Sequence, residues 1–152
     1  MELLAAPYPI TPSPLGFFRS VGAESGIKGD LIQLILTNPG ERVMMPEYGT
    51  PLRELMFEQN TDALKQIASD MILKSISLWE PRILVNELVI STAADREENK
   101  SDFLPFDSRE KKEYQYGANE YVMLIKLKFS LFSNLKNIVY LVIAVPIGES
   151  NV

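Results

Sequence analysis

Apolar positions recur at three- and four-residue steps between Asp62 and Trp79. There Leu64, Ile67, Ala68, Met71, Ile72, Ser75, Ile76 and Trp79 form one stripe, and Lys65, Gln66, Ser69, Asp70 and Lys74 form the opposite face. This period predicts an amphipathic helix capped by Asn60 or Thr61. The helix stops at Glu80, because Pro81 pushes the residue before it toward extended geometry, and Arg82 to Ser91 then reads as a strand of β-branched and apolar residues. Farther on the period changes to two. Tyr121, Met123, Ile125, Leu127, Phe129 and Leu131 alternate with Lys126, Lys128 and Ser130, which predicts a strand with one face in the core. After a turn at Ser133 to Asn137, Ile138 to Val145 is apolar at both parities, so both of its faces should be covered, by its own sheet or by a partner.

The amino-terminal part is less regular. Pro7, Pro9, Pro12 and Pro14 forbid helix and central strand, leaving an extended arm over residues 1–14. Leu15 to Arg19 reads as a short strand, followed by a turn through Gly22, Gly26 and Gly29. From Asp30, an N-cap residue type, Leu31, Leu34 and Ile35 predict a short buried helix that ends at Asn38-Pro39-Gly40. The loop Pro46 to Pro51 is stiffened by its prolines, and Leu52 to Phe57 suggests one or two helical turns. Residues 92–117 are polar and aperiodic, a long connection or insertion. Helices followed by an antiparallel meander make an α+β fold, with the helices packed on the sheet. The expected organisation is an arm at 1–14, a single domain at 15–147 and a tail at 148–152.

Composition narrows the chemistry. The chain has 152 residues, 46% of them hydrophobic, enough to bury a core without staples. It contains neither cysteine nor histidine, which removes thiolate ligands, thiol nucleophiles and the usual general base together. A net charge of −5 without dense Lys/Arg clusters argues against nucleic acid as a partner. Nothing resembles a signal peptide, and the longest apolar run is far below the roughly 20 residues that span a bilayer, so a soluble protein made in a cytoplasm, without a membrane partner, is expected. No cofactor is implied.

Two compact charged turns remain. Glu80-Pro81-Arg82 places an acid and a guanidinium at a stiff helix-to-strand junction, either a recognition knob or a plain helix stop with solvated charges. Pro39-Gly40-Glu41-Arg42 is a second turn, whose Glu41 or Arg42 would pair with Arg82 or Glu80 if the fold joined them; the alternative is again a solvated turn. Glu41 and Glu47 are the one pair that suggests a glycosidase, here a lysozyme-like enzyme cleaving peptidoglycan. They lack a surrounding cluster of sugar-stacking aromatics other than Tyr48.

In order and spacing, the run Leu34 to Met44 with its Pro39-Gly40-Glu41-Arg42 turn, then Pro46-Glu47-Tyr48-Gly49, Leu52, Leu55, Phe57-Glu58, the long helix and Glu80-Pro81-Arg82 resemble the phage baseplate assembly protein W family of lysozyme-like wedge proteins. The resemblance covers Leu15 to Ser91. It implies a non-enzymatic wedge component of a contractile tail, or the equivalent subunit of a type VI or extracellular injection system, with a fold similar to part of the sheath subunit. It also implies sheath initiation by presented strands, and a location in the virion's tail baseplate after assembly in the host cytoplasm. The partners implied are wedge subunits, the sheath protein and tail tube or hub proteins, with several copies around the tail axis. Carried over residue by residue, Glu80, Pro81 and Arg82 would dock on the wedge, with Glu41 and Arg42 in a supporting turn. The arm and the 92–117 connection depart from the family's usual form.

Overall fold

The computed structural model describes residues 12–13, 22–58, 61–91 and 122–146. The strand expected at Leu15 to Arg19, most of the Pro-rich arm, the cap candidate Asn60, the 92–117 connection and the tail lie outside them. Helix α1 runs Ala23–Leu36, a 3-10 helix Leu52–Phe57 follows, and α2 runs Asp62–Trp79. Strands β1 (Ile83–Ser91), β2 (Val122–Leu131) and β3 (Asn134–Pro146) form an antiparallel sheet in the order β1-β2-β3. Both helices lie on one face of this sheet, as the α+β expectation requires.

Helix α2 follows its sequence pattern. The Thr61 side chain accepts from the Leu64 amide, and Leu64, Ala68, Ile72, Ser75 and Ile76 are buried. The stripe is narrower than expected, because Ile67 is 47% exposed while Met71 and Trp79 are only partly covered. Helix α1 differs more. It begins at Ala23, and Gly26 and Gly29, expected in a turn, are buried inside it. Each helical glycine costs about 1 kcal/mol against alanine. Burial of Ile27, Leu31, Leu34 and Ile35 outweighs that, so tertiary packing overrides local propensity. Asp30 is therefore a mid-helix residue and no cap.

Met123, Ile125, Leu127, Phe129 and Leu131 of β2 are buried in the core with Val139, Leu141 and Ile143 of β3. Strand β1 meets the same core through Ile83, Val85, Leu88 and Ile90, a sequence that breaks alternation. A bulge between Val85 and Glu87 restores it, pairing Val85 with Phe129 and Glu87 with Lys128. Glu87 thereby lands on the outer face, where it meets Lys128 Nζ at 3.4 Å.

For β2 and β3 the structure decides what the side-chain pattern leaves open. The alternating strand is the central one, and Leu124, Lys126 and Ser130 on its second face are buried too. The strand apolar at both parities is, among the described residues, at the sheet's edge, with Ile138 and Val142 41% and 39% exposed. Two-sided apolarity reports that both faces are hydrophobic, and says nothing of whether a second neighbour pairs with the backbone.

Candidate functional site

The carboxyl end of α2 is built around a buried acid. Glu80 closes the helix with its amide on the Ile76 carbonyl at 2.8 Å, and its backbone then leaves helical geometry at φ −129, ψ 66. Its side chain lies beneath Arg82 at 6% exposure, whereas the Arg82 side chain is 43% exposed. Pro81 removes a backbone donor and stiffens the bend between them, so the guanidinium folds back on its own turn. Nε and Nη2 of Arg82 donate to the two carboxylate oxygens of Glu80, a bidentate fork. Nη2 also donates to Asp30 Oδ2 on α1 at 2.8 Å. The hydrogen bond with Glu80 is the main reason that the Arg82 pKa is raised; burial acts against it, and Asp30 adds to the rise. The charges do not project separately from this turn. One is buried beneath the other, and the pair ties α2 to α1.

The second turn is held as firmly. Gly40, at φ 91, donates its amide to the Pro46 carbonyl at 2.7 Å. Glu41 accepts from the Asn38 amide at 2.9 Å and faces Arg53 at 3.3 Å. Arg42 Nη2 donates to Gln33 Oε1 at 3.1 Å, and its guanidinium lies 3.7 Å over the Tyr48 ring. The base of the loop is closed by Thr50, whose amide donates to the Thr37 carbonyl and whose hydroxyl donates to the Leu34 carbonyl. Gly49 has no substitute here. At φ 127, an added Cβ would stand 2.4 Å from the Thr37 oxygen.

The two turns come together without pairing with one another. Tyr48 is the joint: its ring takes Arg42 over its face and meets Trp79 edge to face, centroids 5.3 Å apart. Trp79 directly precedes Glu80. In addition, Asp30 and Gln33 lie one turn apart on α1 and hold Arg82 and Arg42 respectively. All five residues expected at the site, Glu80, Pro81, Arg82, Glu41 and Arg42, thus belong to one surface. The residues joining them, Asp30, Gln33, Tyr48 and Trp79, were not singled out from sequence. Tyr48 stood within a quoted motif, Asp30 was read as a cap, and no local signal marks Gln33.

Among the described residues no group of His, Cys, Asp or Glu side chains is arranged to hold a metal, and no helix is long and apolar enough to cross a membrane. Glu41 and Glu47 are both exposed.

Comparison with known proteins gives the arrangement a context. The family model described as baseplate wedge protein gp25 matches residues 22–106, more than half of the chain and including both turns. A crystal structure of a Geobacter sulfurreducens protein provisionally named a tail lysozyme is similar with a TM-score of 0.63 at 22% identity, over 86% of this chain and 96% of that one. The cryo-EM structure of the anti-feeding prophage baseplate contains a chain similar with a TM-score of 0.56 at 19% identity, over 99% of this chain and 90% of that one. At these identities the structural likeness speaks for the fold. No curated protein sequence matches the chain.

Proposed function

The chain belongs to the baseplate wedge protein gp25 family, and from that premise we propose that it docks on its neighbouring wedge subunits through the Glu80-Pro81-Arg82 turn and offers its sheet as the first template for the tail sheath. Membership makes it a structural baseplate component of a contractile machine. The docking role is supported by one observation above others: Arg82 is fixed from two sides by Glu80 and Asp30 yet remains 43% exposed, so a donor of set orientation reaches the surface at little entropic cost. Sheath initiation is supported by β3, a 13-residue strand that stands last in the β1-β2-β3 order of the sheet. Strand addition there would draw affinity from backbone hydrogen bonds and register from alternating side chains. We read the protein as present in several copies in the tail baseplate, assembled in the host cytoplasm, and as non-catalytic. A glycosidase needs one carboxyl kept protonated by an apolar site; Glu41 and Glu47 are in water, and Glu41 is held by Arg53 and the Asn38 amide.

Co-expression with the wedge proteins of the same machine tests the docking role. Arg82→Ala alone is a poor probe, because stripping the buried Glu80 of its partner should cost about 1–3 kcal/mol of stability. Arg82→Lys keeps a cation over Glu80 but loses the planar fork. We expect its thermal midpoint to stay within a few degrees of the parent's while recovery of wedge subunits in the purified complex falls at least about tenfold. Undiminished recovery would remove Arg82 from the interface.

A further inference from the structure

Besides its core stripe, α2 carries a second seam. Ile67, Met71, Lys74 and Leu78 follow one another at steps of four, three and four residues, the spacing of a coiled-coil contact. The seam runs along the flank of the helix, beside the row of Leu64, Ala68, Ile72 and Ile76 that packs into the core. Ile67 is 47% and Leu78 65% exposed, Lys74 is exposed between them, and Met71 is only partly covered by the core. Two large aliphatic side chains thus stand in water roughly 17 Å apart along a rigid helix. The fold of the single chain draws little from either.

The charges of this flank are unengaged. Asp70 and Lys74 lie one turn apart, an order of acid and base that pairs along many helices. Here no ion pair joins them. Among the described residues Lys74 Nζ meets no acceptor, and the Asp70 carboxylate accepts only a long bond from Gln66 at 3.5 Å. On the first turn of the same helix, by contrast, Lys65 and Asp62 do meet, at 3.0 Å. Turned end for end about a point near residue 72, the seam matches itself. Ile67 falls opposite Leu78, Met71 opposite Lys74, and Lys74 comes within one residue of facing Asp70.

We infer that a second copy of this chain covers the seam, the two α2 helices packing antiparallel across a two-fold axis near residue 72. Ile67 of each copy meets Leu78 of the other, the Lys74 stem lies over Met71, and the Lys74 ammonium reaches Asp70, giving two equivalent ion pairs. A two-fold contact requires one patch complementary to itself, and this patch is so in both its apolar order and its sign. Parallel packing would instead set Asp70 against Asp70 and Lys74 against Lys74. Four seam positions cover less than the about 1,000 Å² of a lasting interface, so the dimer exchanges with monomer at a dissociation constant on the order of tens of micromolar. Such a pair closes on itself and leaves no copy of the patch free to continue a ring, so it is a form of the free chain, independent of the docking role.

Sedimentation velocity of the purified full chain, from about 1 to about 300 µM, is the test. We expect the weight-average sedimentation coefficient to climb from that of a monomer toward that of a dimer. Lys74→Glu sets like charges against each other across the axis and should raise the dissociation constant at least about tenfold, as should Leu78→Ser. Asp70→Lys combined with Lys74→Glu exchanges the signs and should return it to within about threefold of the parent's. All three positions are exposed, so the thermal midpoint of the dilute chain should stay within a few degrees of the parent's. A chain monomeric over the whole range would overturn the inference. A dimer left intact by Lys74→Glu and Leu78→Ser would lie on another face and overturn the seam, and a charge exchange that fails to restore association would overturn the antiparallel pairing.

Discussion

Glu80 could not remain in its place as an ordinary surface acid, since a carboxylate at 5% exposure needs a partner for each oxygen, and Arg82 supplies both. Tyr48 is the second titratable group of this joint, its ring in contact with an arginine and an indole. Burial holds its hydroxyl above the ordinary value of 10.0, Arg42 acts in the opposite sense, and Asp30 and Glu80 add to the rise. Below pH 10 the phenol is neutral in folded and unfolded chains alike, so its full contribution to stability is retained. Above that the unfolded chain ionises first, and stability falls as the pH climbs toward the folded value. Tyr48→Phe should therefore give a thermal midpoint that declines less steeply than the parent's as the pH rises above 10. Equal slopes would mean that Tyr48 ionises as freely in the fold as in water.

Among the elements, β1 shows how a local irregularity can be required by the pattern around it. Counting in twos from Ile83 would send Glu87 into the core; the bulge makes Asn86 the extra residue and sends Leu88 and Ile90 inward instead. Removing Asn86 should consequently be tolerated, because Val85 followed by Glu87 is already a regular strand. The loss is the hydrogen bond that the buried Ser130 hydroxyl donates to Asn86 at 3.1 Å, about 1 kcal/mol and a few degrees in thermal midpoint. Removing Leu88 should abolish cooperative melting, since it shifts every later core position to the wrong face. A scan in which both deletions were equally harmful would contradict the parity argument. The hairpin beyond is anchored to the same strand, with the Phe132 amide donating to the Arg82 carbonyl, so the docking turn and the β2-β3 hairpin share a support.

On the scale of the whole molecule, the proposed role is two-sided, with wedge subunits at the charged turns and sheath at β3. The sequence contains no cysteine, so single introduced thiols report each side without background. Glu47→Cys, exposed on the loop of the second charged turn, should cross-link to a wedge subunit and Val142→Cys to the sheath protein in assembled particles; both linking to the same partner would refute the two-sided arrangement. Much of this organisation was legible beforehand. The span of α2, its stop before Pro81, the strand after it and the inward positions of β2 are consequences of 3.6- and 2-residue periods and of proline geometry, which act between near neighbours in the chain. The start of α1 was not legible, because buried glycines favour a helix only when something packs on them. Nor was the assignment of central and edge places to β2 and β3, which depends on backbone pairing that side-chain polarity does not encode. The charged turns were found by their composition, but their character was decided in space. Arg82 reaches Asp30 across 52 residues and Arg42 is seated on Tyr48, so what reads locally as two solvated helix stops becomes one tied surface. Short-range sterics and periodicity belong to the sequence alone; which distant side chains satisfy a buried charge is settled only when the whole core closes around it.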